Sequence, residues 1–140
     1  MHHEINDSVR EGSLPRWLVA ANVAGALAAA GASVVGLIRP AFVLAGSAAT
    51  PLAEIYTQVY AARALPLGAA LVVVLLSRRR AGLRMLLVVS GLAQVADAAI
   101  GVRYGAPGMV VGGTLLAAVH LGSVLRLSGR RAKIAVPQGV

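Results

Sequence analysis

Two charged residues of this chain stand where charge is expensive. Arg63 lies near the middle of the apolar stretch IYTQVYAARALPLGAALVVVLLSRRR, and Asp97 lies one segment later, in LLVVSGLAQVADAAIGV. Arg63 is 15 residues before Arg78, and Asp97 is 13 residues after Arg84, in the basic cluster between the two segments. At ~1.5 Å rise per helical residue they sit ~22 and ~20 Å from one membrane face. A charge at the centre of a membrane helix costs roughly 2.5–3.5 kcal/mol on insertion scales, so two at matching depth point to a relationship. Three readings stay open. The two can form an ion pair that fixes helix register. They can face a ligand, Arg63 taking a carboxylate or phosphate and Asp97 left free to donate a proton. Or they can stand apart.

Other polar residues sort by depth around this pair. Gln94 and Tyr60 share its layer. A second, deeper layer pairs Asn22 with His120, each 6 residues, or ~9 Å, from the boundary arginines Arg16 and Arg126. Glu54, Tyr56 and Gln58 are placed at the mouth on the far side. For His120, a satisfied interior histidine stands against a proton carrier or ligand. The candidate ligand-binding set is therefore Arg63, Asp97, Gln94, Tyr60, Tyr56, Asn22 and His120. Were the protein an enzyme, Asp97 would be the acid or base, with Arg63, Glu54 and His120 assisting.

Several chemistries are set aside. There is no H-E-x-x-H, no phosphate-binding glycine loop with lysine and no dinucleotide fingerprint. One membrane histidine and one membrane aspartate are too few for a metal cage. The chain has no cysteine, so thiolate chemistry and disulfides are excluded. No cofactor and no metal are expected.

The elements that must hold these residues follow from composition. Of 140 residues 58% are hydrophobic and only 13% charged, too little to clothe a soluble domain. The apolar residues come in blocks long enough to cross a bilayer, where about 20 are needed. Four segments are expected, at about 17–38, 52–76, 83–102 and 109–127, between a polar tail at 1–16 and a basic tail at 128–140. The first run is too long for a signal h-region and is read as a span rather than a cleaved leader. Arg10, Arg16, Arg78, Arg79, Arg80, Arg84, Arg126, Arg130, Arg131 and Lys133 fall on one side, and Arg39 and Arg103 on the other. This split puts both termini in the cytoplasm. The net charge of +8 is accounted for by these flanks and by lipid headgroups, which leaves no case for nucleic acid. The expected fold is an all-α membrane protein of four transmembrane helices, an up-down-up-down bundle.

Each segment carries a face of small or polar residues: Asn22, Gly25, Ala29, Ser33 and Gly36; Tyr56, Tyr60 and Arg63; Ser90, Gln94, Asp97 and Gly101; Gly113, Ala117 and His120, with Thr114 and Ser123 beside them. Such faces let membrane helices approach closely and bond across the interface. Pro66 should kink the second helix and free the Ala62 carbonyl, for which Arg63 is a candidate donor. Gly108 and Gly112 form one G-x-x-x-G, the pattern of a homo-oligomer contact.

The run YAARALPLGAALVVVLLSRRR followed by GLAQVADAAIG resembles small four-helix membrane families in the broad neighbourhood of DoxX-like proteins. The residues that carry the resemblance are Arg63, Leu65, Leu67, Gly68 and Asp97. It implies a four-helix bundle in a bacterial inner membrane and no established reaction. The leading expectation is a protein that binds a lipid or hydrophobic small molecule between its helices, with Arg63 and Asp97 as polar anchor. The alternatives are a membrane-embedded isomerase or cyclase on an apolar substrate and a proton-coupled small transporter built as a homodimer. Expected partners are membrane lipids, a hydrophobic small molecule and a second copy of the chain.

Overall fold

The computed structural model describes residues 14–39, 51–77 and 82–134. The expected polar tail at its first thirteen positions, most of the first loop, the basic turn at 78–81 and the last six residues lie outside the described residues. Four helices make up the described chain: α1 (Arg16–Ile38), α2 (Pro51–Leu76), α3 (Leu83–Arg103) and α4 (Pro107–Ile134). Each is long and apolar enough to cross a membrane. Large apolar side chains on their outer faces, such as Val73, Leu92, Leu115 and Leu125, are exposed, the arrangement expected where lipid rather than water is the solvent. This is the build of a multi-pass membrane protein.

Proline and glycine set the helix ends. Pro15 caps α1 in extended geometry, its carbonyl accepting from Leu18 and Val19. α1 stops before Pro40, whose ring disfavours helical geometry in the residue ahead of it. α2 and α4 both begin on a proline, where the missing N–H costs nothing. Between α3 and α4 the chain turns through a Schellman motif. Ala106 N–H donates to the Gly101 carbonyl at 2.8 Å, Gly105 N–H to Val102 at 3.4 Å, and Gly105 takes the left-handed φ of 64° that this motif requires. Pro107 starts the next helix two residues later. α4 continues to Ile134, so a helix occupies much of the segment read as a basic tail. α2 continues through Pro66 as one helix.

The helices associate as two hairpins. α1 packs closely on α2 and α3 on α4, while contacts between the hairpins are sparse. The α3–α4 seam is the tightest. A Cβ at Gly113 would stand 2.7 Å from the Gln94 carbonyl oxygen and 2.9 Å from the Ala98 nitrogen, so backbone meets backbone there. Contacts along this seam run in opposite order on the two helices: Gly101 meets Val110, Ala98 meets Gly113, and Gly91 meets His120.

Packing differs between the two ends of the bundle. Leu14 and Leu18 of the first hairpin meet Leu71, Leu75, Leu83 and Leu87 in a leucine core at one end. At the other end, where α1 finishes and α4 begins, the residues that face each other are alanines, glycines and a few polar side chains. Small residues leave space between the helices there. A cavity results.

Candidate functional site

The cavity measures about 440 Å³, within the range of small-molecule sites. One wall is α1, with Ala28, Ala29, Ala32, Ser33 and Gly36. Tyr56, Thr57 and Tyr60 of α2 and Gln94 and Asp97 of α3 supply the polar flank. The turn residue Ala106 and, at the start of α4, Pro107, Gly108, Met109, Gly112 and Gly113 close the opposite side, with Leu116 further along. A Cβ at Gly25 would stand 2.5 Å from Leu116, so α1 and α4 touch just beyond this end of the cavity.

Asp97 joins the cavity to the charged pair. Its side chain is 6% exposed, and Oδ1 accepts from Arg63 Nη2 at 2.6 Å. Oδ2 is buried and has no hydrogen-bond partner among the described residues. Arg63 is not an inward residue as its helical face suggested: its side chain is 42% exposed. The buried face of α2 is marked by Thr57, Ala61, Leu71 and Leu75, and Arg63 lies two residues on from Ala61, about 200° round the helix. It stands at the seam between α2 and α3 and reaches across it. The Tyr60 ring lies under its guanidinium, 5.4 Å from centroid to Cζ, and Tyr56 stacks on Tyr60 at 6.5 Å. Tyr56, Tyr60, Arg63 and Asp97 thus form a continuous ladder along one edge of the cavity. The open alternative of two separate charges is closed by the 2.6 Å contact.

The second polar layer is built differently from its expected form. Asn22 does not pair with His120. Its Nδ2 donates to Ser123 Oγ at 2.9 Å and to the Leu18 carbonyl at 2.7 Å, and Ser123 Oγ donates in turn to Val119. His120 sits one turn before Ser123, buried, with neither ring nitrogen bonded among the described residues. Neither Asn22 nor His120 lines the cavity. Their layer clamps α1 to α4, and near the same end Arg126 lies over the Trp17 ring at 5.7 Å.

At the mouth, Tyr56 lines the cavity but Glu54 and Gln58 are exposed away from it. Both fall on the outer side of α2, since Thr57 holds the inward position. The Glu54 carbonyl accepts from Thr57 Oγ1 at 2.8 Å. Of the expected ligand residues, the structure gathers Tyr56, Tyr60, Gln94, Asp97 and, through its ion pair, Arg63. Sequence reasoning placed Ala29, Ser33 and Gly36 on the inward face of the first helix but missed Ala28, Ala32, Thr57 and Met109; the Met109 sulfur accepts from the Tyr56 hydroxyl at 3.7 Å. The G-x-x-x-G glycines are also at the cavity: a Cβ at Gly108 or Gly112 would meet nothing within 4 Å.

Among the described residues no three His, Asp or Glu side chains come together as a metal site. No family model matches this chain, and no curated protein or solved structure matches it.

Proposed function

We propose that this protein holds a lipid or hydrophobic small molecule in the cavity between its two helical hairpins, with the Arg63–Asp97 pair as polar anchor. One observation carries the reading. A largely apolar space of about 440 Å³ has the polar side chains of Tyr56, Tyr60, Gln94 and Asp97 along one edge. That pairing of an apolar body and a polar edge is the usual make-up of a site for a small amphiphile.

The membrane setting belongs to the same proposal. The bundle crosses a bacterial inner membrane up-down-up-down, with both termini cytoplasmic. The supporting evidence is the ten-to-two division of Lys and Arg between the two ends and the opposite contact order of α3 and α4. The Arg63–Asp97 bridge then lies within the membrane, and the cavity opens toward the non-cytoplasmic half. A DoxX-like relationship, carried by Arg63, Leu65, Leu67, Gly68 and Asp97, is proposed with it.

The test is native mass spectrometry of protein released from lipid nanodiscs, wild type beside Ala32→Phe, whose new ring occupies the cavity. The wild type should carry a defined small molecule that the variant has lost, with the melting temperature little changed. Equal retention in both, or no species beyond bulk lipid in either, would remove the cavity as the binding site.

A further inference from the structure

The cavity is closed on one side of the bundle and open on the other. Between α2 and α3 the Arg63–Asp97 bridge spans the seam at 2.6 Å, with the Tyr60 ring under the guanidinium. The seam between α1 and α4 is built differently. Two contacts fix which sides of these helices meet: a Cβ at Gly25 would stand 2.5 Å from Leu116, and Asn22 Nδ2 donates to Ser123 Oγ at 2.9 Å. Ala28 and Ala32 follow Gly25 by 3 and 7 residues, and Gly112 and Gly108 precede Leu116 by 4 and 8. Those spacings keep all four on the sides where α1 and α4 face each other. All four line the cavity. Yet Ala28, Ala32 and Gly108 are exposed, Gly112 is half-buried, and a Cβ at either glycine would meet nothing within 4 Å. The cavity therefore reaches the surface sideways, through the gap these small residues leave. Val35 and Leu115, seven residues on from Ala28 and Gly108 respectively, flank the gap and are exposed and apolar.

We infer, on the ligand-site reading above, that the ligand is a long-chain lipid of the bilayer, admitted sideways between α1 and α4 and only partly enclosed. Its polar end lies against the α2–α3 flank, and its chain runs out past Ala28 and Gly112 into the surrounding acyl layer. Ala28, Ala32 and Gly112 fall within the apolar spans Arg16–Ile38 and Pro107–Ser128, so the gap faces hydrocarbon. A water-borne solute would have to shed its hydration to pass such an opening, whereas an acyl chain exchanges one apolar surrounding for another. The polar edge and the gap lie on opposite sides of the cavity, so an elongated amphiphile reaches from one to the other. A compact ligand sealed inside has no use for the gap.

The experiment uses the monoacylglycerols of octanoic, dodecanoic and octadecanoic acid in nanodiscs. Occupancy is read by native mass spectrometry against each probe's content in the same bilayer. Wild type should hold all three alike, because added chain length stays in the membrane. Gly112→Leu puts a branched side chain into the gap at a position with room for it. That variant should keep the octanoyl probe and lose the octadecanoyl one, with its melting temperature little changed. Gly108→Leu, one turn nearer the start of α4, is measured beside it and should act alike. Exclusion of the octadecanoyl probe from wild type would overturn the sideways opening and leave a closed site for compact ligands. Equal binding or equal loss of all three probes in both variants would also overturn it, since chain length would then not be read at this gap. So would a dimer that Gly112→Leu dissociates, because a second copy would then cover the gap. Retention of none of the three above bulk lipid, with Ala32→Phe indistinguishable from wild type, would overturn the ligand-site reading itself.

Discussion

Arg63 Nη2 stands 2.6 Å from Asp97 Oδ1 and so bridges α2 and α3 across the sparse seam between the two hairpins. One partner is buried and the other is 42% exposed. The bridge therefore ties a cavity-lining carboxylate to the outer surface of the bundle. Its energetic role is separable from any role in binding. Asp97→Asn and Arg63→Gln should each lower stability by about 1–2 kcal/mol, and the double variant by less than their sum, with a coupling of about 1 kcal/mol. Reversible unfolding in mixed micelles measures all three. Strict additivity would mean that the contact contributes nothing to stability.

The α3–α4 seam makes a sharper prediction. At Gly113 a methyl group would meet the Gln94 carbonyl oxygen and the Ala98 nitrogen, both backbone atoms that cannot swing aside. Gly113→Ala should cost about 1–3 kcal/mol through forced separation of the helices. The neighbouring Gly112→Ala, which meets nothing within 4 Å, should change the melting temperature little. If the two variants melt alike, the close approach at Gly113 is wrong.

The clamp between α1 and α4 is testable by the same means. Asn22→Ala removes the bond to Ser123, and interhelical hydrogen bonds in membranes are worth on average ~0.6 kcal/mol, with ~1.7 at most. The variant should fall in that range before its lost packing is added. Adding Ser123→Ala should cost little more, because the pair acts through one bond.

The turn at Gly105 offers a fourth case. Its φ of 64° places any other residue in the left-handed region, so Gly105→Ala should destabilise by about 1–2 kcal/mol. Gly108→Ala, three residues on and without neighbours within 4 Å, is the matched control. Thermal melts of the pair decide it.

How much of this was legible depended on what each residue does. The four apolar runs announced four helices because a bilayer-spanning length is long and hard to mimic. The shared depth of Arg63 and Asp97 was readable because depth follows from counting residues along a helix. Depth does not fix rotation, though. It could not choose between His120 and Ser123, one turn apart on the same face, as the partner of Asn22. Nor could it show that Arg63 reaches inward from an exposed position. Glu54 and Gln58 were misplaced for a related reason: which side of α2 faces inward is set by Thr57 and Ala61, whose small side chains carry little signal. The cavity wall was invisible because Ala28, Ala29 and Ala32 look the same in sequence whether a neighbour presses on them or leaves a gap.

α4 has one further consequence. Its 28 residues extend ~42 Å, against a hydrocarbon thickness of ~30 Å. The helix is therefore longer than a bilayer's apolar layer is thick, and its last turns run on past the apolar span that ends at Ser128. Gly113 locks α4 to α3 backbone against backbone, so neither helix can slide along its axis without carrying the other, and with it Asp97.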